Sequence, residues 1–137
     1  MRRMLCLIVL TGGFLMTPAP TATAEDKKEV RVFEMRIYTA PEGKLPALLS
    51  RFRDHTVKLF EKHGMTNIGY WTDKKDGKDR LIYILAYPSK EAADASWKAF
   101  RVDPVWVKAK ADSEVNGTLV EKLESIWMSP TDFSTIK

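Results

Sequence analysis

The chain has 137 residues, 22 Lys plus Arg against 18 Asp plus Glu, and one cysteine, Cys6. Arg2 and Arg3 lie in an N-terminal segment without acids; beyond it 20 basic residues face 18 acidic ones, and that balance of +2 argues against nucleic-acid binding, as does the lack of a basic stripe interleaved with aromatics. A lone cysteine excludes an intrachain disulfide framework, so stability has to come from a hydrophobic core, helped by oligomerisation.

The first segment reads as a cleavable secretory signal. Arg2-Arg3 is a short positive region, Met4 to Met16 is a mostly apolar run broken by Gly12 and Gly13, and Thr17 to Ala24 is rich in Pro and small residues, ending Ala22-Thr23-Ala24. Cutting is expected after Ala24. A run of roughly 13 apolar residues falls short of the ~18 that a spanning helix needs, so no stable membrane insertion is expected after cleavage. No polar residue follows the arginine pair, and Cys6 lies inside the apolar run rather than at a processing boundary. Neither a twin-arginine route nor a lipidated cysteine fits. The expected protein is exported, periplasmic or secreted, with a signal at 1–24, a charged leader at 25–30, one domain at 31–128 and a C-terminal tail at 129–137.

From Val30 the pattern alternates: Phe33, Met35 and Ile37 on one side, Val32, Glu34, Arg36 and Tyr38 on the other, which predicts a strand with one fully apolar face. Ala40-Pro41-Glu42-Gly43 turns the chain. Leu45, Leu48, Leu49, Phe52, Thr56, Leu59 and Phe60 then recur at helical spacing, with Pro46 in the first turn and Gly64 placed for a left-handed cap. Met65 to Thr72 predicts a second strand, Asp73 to Asp79 a charged turn, and Leu81 to Tyr87 a third strand paired with the second as a hairpin. Ser89 is the expected N-cap of a helix through Arg101 that buries Ala93, Trp97 and Phe100. Asp103-Pro104 starts another helix, Asn116-Gly117 breaks it, and Thr118 to about Met128 forms the last strand before Pro130.

This order predicts an α+β fold, a ferredoxin-like split βαβ sandwich with an antiparallel four-stranded sheet covered by helices on one face. The third strand is apolar at successive positions, as in a strand buried on both faces. No further element is left to cover the second face, so a second copy is expected there, sheet against sheet, making a homodimeric α+β barrel.

Phe33-Glu34-Met35-Arg36-Ile37-Tyr38-Thr39, Glu42-Gly43-Lys44, Leu59-Phe60-Glu61-Lys62-His63-Gly64, Gly69-Tyr70-Trp71, and Trp97-Lys98-Ala99-Phe100 with Asp103-Pro104-Val105-Trp106 resemble, in that order, the NIPSNAP domain. The resemblance spans about residues 31 to 128. It implies the dimeric α+β barrel superfamily, which also holds cofactor-independent monooxygenases and haem-binding enzymes, while the family itself has no agreed activity. Animal members are mitochondrial; the export signal here departs from them, and their organelle roles do not carry over.

Glu34 and Arg36, two apart on the first strand, are expected side by side on the face a dimer would enclose. Buried there, they must satisfy one another, as a structural pair or as a polar anchor for a ligand. Tyr38, Tyr83 and Tyr87 are candidates for the same cavity, against a packing role with the hydroxyl bonded to backbone. His55 and His63 are the only histidines, about 12 Å apart along one helix, too far to share a metal from it. His63 in the last turn suits the helix dipole, and His55 flanks the apolar stripe; an acid, base or haem-ligand role is secondary for either. The chain has no Cys nucleophile beyond the signal, no Gly-rich phosphate loop and no G-x-S-x-G elbow. The expectation is a homodimeric module binding a small ligand or partner through the barrel, with no metal or cofactor. A cofactor-independent monooxygenase-like or isomerase-like enzyme, and a haem-binding protein, are the alternatives.

Overall fold

The computed structural model describes residues 31–137, so the expected signal at 1–24 and leader at 25–30 lie outside the described residues. Four strands, β1 (Val32–Thr39), β2 (Thr66–Lys75), β3 (Lys78–Tyr87) and β4 (Lys122–Met128), form one antiparallel sheet in the order β2-β3-β1-β4. Each βαβ unit is split by a strand of the other, which is the ferredoxin-like plan. Between β1 and β2 run α1 (Leu45–Arg51), a π-helical turn (Phe52–Thr56) and α2 (Val57–Lys62), while α3 (Lys90–Val102) and α4 (Pro104–Ser113) lie between β3 and β4.

Local chemistry sets the boundaries. Pro46 and Pro104 enter helices where no N–H is needed. Gly64, at φ +77°, closes α2 with bonds from Met65 N to the Phe60 carbonyl and from Gly64 N to the Glu61 carbonyl, a Schellman cap. Ser89 caps α3 by accepting from Ala92 N, and Asp103 caps α4 by accepting from Val105 N at 2.8 Å.

Two boundaries differ from the sequence reading. The hairpin continues through the charged segment because opposite charges pair across it: Arg80 with Asp73, and Lys74 with Asp79. Only Asp76-Gly77 turns the chain, both residues at positive φ, as a two-residue hairpin requires. The last strand begins at Lys122 rather than Thr118, since Thr118 to Val120 form a side-chain turn that buries Leu119.

The faces of the sheet are also exchanged relative to expectation. Val32, Glu34, Arg36 and Tyr38 pair with Tyr87, Leu85, Tyr83 and Leu81, and all lie on the side covered by helices. The apolar set Phe33, Met35 and Ile37 shares the open side with Ile84, Ile82 and Ile126. Burial follows: Leu81, Tyr83, Leu85 and Tyr87 are buried, while Ile82 and Ile84 between them are only half-buried. The core is thus the layer between sheet and helices, built from Leu48, Phe52, Leu59, Phe60, Trp97 and Phe100 against those β3 residues. Part of the open side is covered from within the chain. The tail beyond Met128 folds back over Phe33, Ile68 and Ile84, and the Lys137 carbonyl accepts a bond from Arg31 Nε at 2.7 Å.

Candidate functional site

Glu34 organises the interior. It projects from the middle of β1 towards α3 and is 2% exposed, yet each carboxylate oxygen has two donors. Oε1 accepts from Arg36 Nη1 at 2.8 Å and Ser125 Oγ at 2.6 Å; Oε2 accepts from Tyr87 Oη and Trp97 Nε1, both at 2.9 Å. These partners come from β1, β4, β3 and α3, so one carboxylate ties the sheet to its helical cover. A buried charge this well paired is a structural centre.

Arg36 is held over Trp97, its guanidinium carbon 4.1 Å from the ring centroid, and lies 5.6 Å from that of Tyr38. Burial opposes its charge, but Tyr83, Tyr38 and Glu34 outweigh burial and keep the guanidinium above its ordinary range. Burial, reinforced by the Glu34 charge, pushes the Tyr87 phenol well up, so it stays protonated and donates to Glu34. Tyr83 is fully buried, edge-on to Tyr38 at 5.3 Å and stacked on Tyr70 at 5.6 Å. Burial also raises its phenol far above the usual value. Its hydroxyl and Arg36 Nε on the neighbouring strand lack a well-aligned partner, although the Tyr38 hydroxyl lies close enough to bear on the proton affinity of both groups.

The five first-strand and tyrosine candidates therefore share one face, but they divide by role. Glu34 and Tyr87 are saturated within the network, with Arg36 Nη1 bound into it. Tyr38 is different. It lines a cleft of about 320 Å³ between the start of β4 and helices α1 and α4, bounded also by Arg51, Trp106, Lys110, Val120 and Leu123.

Arg51 was not visible as a site residue in the sequence pattern, although it lies three residues after Leu48 on the apolar stripe. Its side chain is 3% exposed, with Nη1 donating to Glu114 Oε1 at 2.9 Å and Ser113 Oγ at 3.2 Å, and its guanidinium is 5.3 Å from the Trp106 ring. The Nε is buried without an acceptor. The π turn begins directly after it, and Thr56 Oγ1 donates to the Arg51 carbonyl at 3.2 Å, five residues back. Such turns interrupt helices frequently at functional positions. Lys110 Nζ reaches the other Glu114 oxygen at 3.3 Å. Burial alone would raise the Glu114 carboxyl, but the Arg51 bond and the Lys110 charge outweigh it and hold the group below its ordinary value.

The histidines are separate from this cleft. His63 Nε2 is 2.8 Å from Asp103 Oδ2, which also accepts from Lys62 Nζ at 2.7 Å. The Lys62 and His63 bonds hold the Asp103 carboxyl far below its usual value, so it is ionised and only accepts. His63 Nε2 therefore carries a proton, and the residue clamps the end of α2 to the start of α4. His55 is exposed on the outer surface, near Pro104, Lys108 and Asp112. Among the described residues no three His, Cys, Asp or Glu side chains group as a metal site requires, and no helix is long and apolar enough to cross a membrane.

The NIPSNAP family model matches residues 33–135. This chain belongs to the NIPSNAP family. Its fold is similar to that of a NIPSNAP family protein of unknown function from Agrobacterium tumefaciens, at 22% identity and a TM-score of 0.69, over 80% of this chain and 96% of that one. A NIPSNAP-like domain protein from Burkholderia xenovorans matches at 15% identity and 0.66, over 77% and 90%. A monooxygenase from Streptomyces coelicolor, solved in complex with nanaomycin D, shares the fold at 8% identity and 0.51, over 76% and 90%. None of the curated proteins matches the chain. The family match runs on to residue 135, through most of the segment that folds over the open sheet face.

Proposed function

We propose that this NIPSNAP chain is an exported, homodimeric module that binds a small ligand on the helical side of its sheet. The observation that carries the ligand reading is Arg51 Nε, a buried donor without an acceptor on a side chain that lines, with Tyr38, an open cleft. Leaving a buried donor unmet costs about 1–3 kcal/mol, and a ligand bearing acceptor atoms relieves that cost. Native mass spectrometry of the purified protein tests this. A retained small molecule that is lost in Tyr38→Ala with the fold intact supports the reading; a bare protein that takes up nothing from an extract of its host refutes it.

The dimer reading rests on the open sheet face. Met35, Ile37, Ile82, Ile84 and Ile126 are half-buried or exposed there, and Trp71, 52% exposed, joins them through its pairing with Ile82. A contiguous apolar surface of this kind, with Arg80, Asp73 and Glu124 at one end, has the apolar centre and charged rim of a protein interface. A second copy is the partner that needs no other component, since a two-fold contact uses one patch twice. Light scattering at micromolar concentration is expected to give a dimer, and a monodisperse monomer would exclude it. Export predicts a mature chain beginning at Glu25, read from its intact mass.

A further inference from the structure

We infer that the cleft between α1, α4 and the start of β4 is a site for a small carboxylate with a flat apolar body. This deepens the ligand-binding reading and rests on it. Charge is the first argument. Arg51 and Lys110 share one carboxylate, Glu114, while Glu121 on the rim is taken by Lys78 at 2.6 Å and Lys122 by Glu124 at 2.8 Å. The cleft therefore holds one more positive than negative charge at its inner wall.

Geometry is the second argument. Arg51 spends Nη1 on Glu114 and Ser113, which fixes the guanidinium plane, and its Nε–Nη2 edge carries no bond among the described residues. That edge is one that takes a carboxylate through two parallel bonds. Fixing the plane beforehand removes much of the ordering cost of such a contact. An Arg that is nine-tenths buried, held in place and left with an unused edge is an anchor lacking its anion.

The remaining wall selects the body of the ligand. The Tyr38 and Trp106 rings, Val120 and Leu123 offer apolar surface beside the anchor, and a volume of about 320 Å³ lies at the lower end for small-molecule sites. A planar acid of one ring, its carboxylate on Arg51 and Lys110, satisfies both halves. A phosphate ester or a long acyl chain leaves one half unmatched.

Titration of the purified protein with benzoate and with benzamide tests the assignment, following the nitrogen-bound proton resonances of the Trp106 indole and Arg51 Nε. Benzoate is expected to shift both with a Kd of about 0.1–10 mM, and benzamide to bind at least about tenfold more weakly, having lost the charge-assisted bonds. Lys110 is exposed, so Lys110→Gln leaves the fold intact while weakening benzoate several-fold and benzamide little. Arg51→Gln removes benzoate binding; if it also unfolds the chain, Lys110→Gln alone decides. Benzamide binding as well as benzoate, or Lys110→Gln leaving benzoate unchanged, overturns the carboxylate assignment while sparing the ligand-binding reading. Shifts from neither probe overturn the assignment, and a bare protein in native mass spectrometry then removes the broader reading as well.

Discussion

Replacing Glu34 by Ala is expected to be among the most damaging single changes in the chain. The carboxylate receives four bonds, and two of its donors, Arg36 and Trp97 Nε1, have no acceptor capacity of their own. Without it the Arg36 guanidinium, whose side chain is 13% exposed, becomes an uncompensated buried charge. Breaking a buried pair by removing one partner costs about 3–5 kcal/mol, against a total stability of about 5–15 kcal/mol for a domain. Gln at the same position is instructive. Each carboxylate oxygen serves one hydroxyl and one obligate donor, so whichever way the amide is turned its NH₂ confronts either Arg36 or Trp97. The loss should then be about 2–3 kcal/mol, one unmet donor plus the weakened charge pairing. Urea unfolding followed by tryptophan fluorescence measures both, and the double change Glu34→Leu with Arg36→Leu should recover part of the Ala loss by removing the stranded charge. A loss below about 1 kcal/mol for Glu34→Ala would refute the claim that this network holds the sheet to its helices.

Asp103→Asn is expected to flatten the acid limb of the stability profile. The folded carboxyl is depressed below its ordinary value of 3.8, so its stabilising contribution is complete above that pH and is lost as pH falls through the lower folded value. Thermal midpoints measured from pH 5 downward should decline less steeply in the variant. Thr56→Val removes the one side-chain bond to the Arg51 carbonyl found among the described residues and should cost about 1 kcal/mol, read as a lower urea midpoint with an unchanged slope. Deleting residues 130–137 uncovers Phe33, Ile68 and Ile84 and should increase binding of a hydrophobic dye, with stability reduced by about 1–2 kcal/mol. Trp71→Ala on the open face should weaken self-association about tenfold or more in sedimentation equilibrium while leaving the urea slope of the isolated chain unaltered.

Local signals in the sequence specify where the helices begin and end. Ser89, Asp103-Pro104 and Gly64 mark chain ends because a cap depends on residues within one turn, and each lies where its pattern places it. The alternation in β1 likewise separates the two faces correctly. What alternation lacks is the direction of each face. Phe33, Met35 and Ile37 form the more apolar set, and by composition alone they belong to the core. Glu34 and Arg36 go inward instead because Tyr87, Trp97 and Ser125 meet them, residues 53, 63 and 91 positions away from Glu34. No window along the chain contains that compensation. Arg51 was hidden for a similar reason: its burial depends on Trp106, Ser113 and Glu114 of the α4 region, and a charged residue on an apolar stripe was the only trace it left.

That inversion bears on how the two proposed interactions coexist. Successive residues of a strand point to opposite sides, so β1 places Met35 and Ile37 on the open face while Arg36 and Tyr38 between and beyond them serve the helical side. A second copy over the open face therefore leaves the Tyr38 and Arg51 cleft open, and a ligand there need not displace the partner. Had the charged set faced the dimer, as the sequence pattern suggests, binding and association would have competed for one surface. With the faces exchanged, the proposed dimer would shield the apolar side from water and the proposed ligand would keep its own entrance, with the Glu34 network as the layer between them.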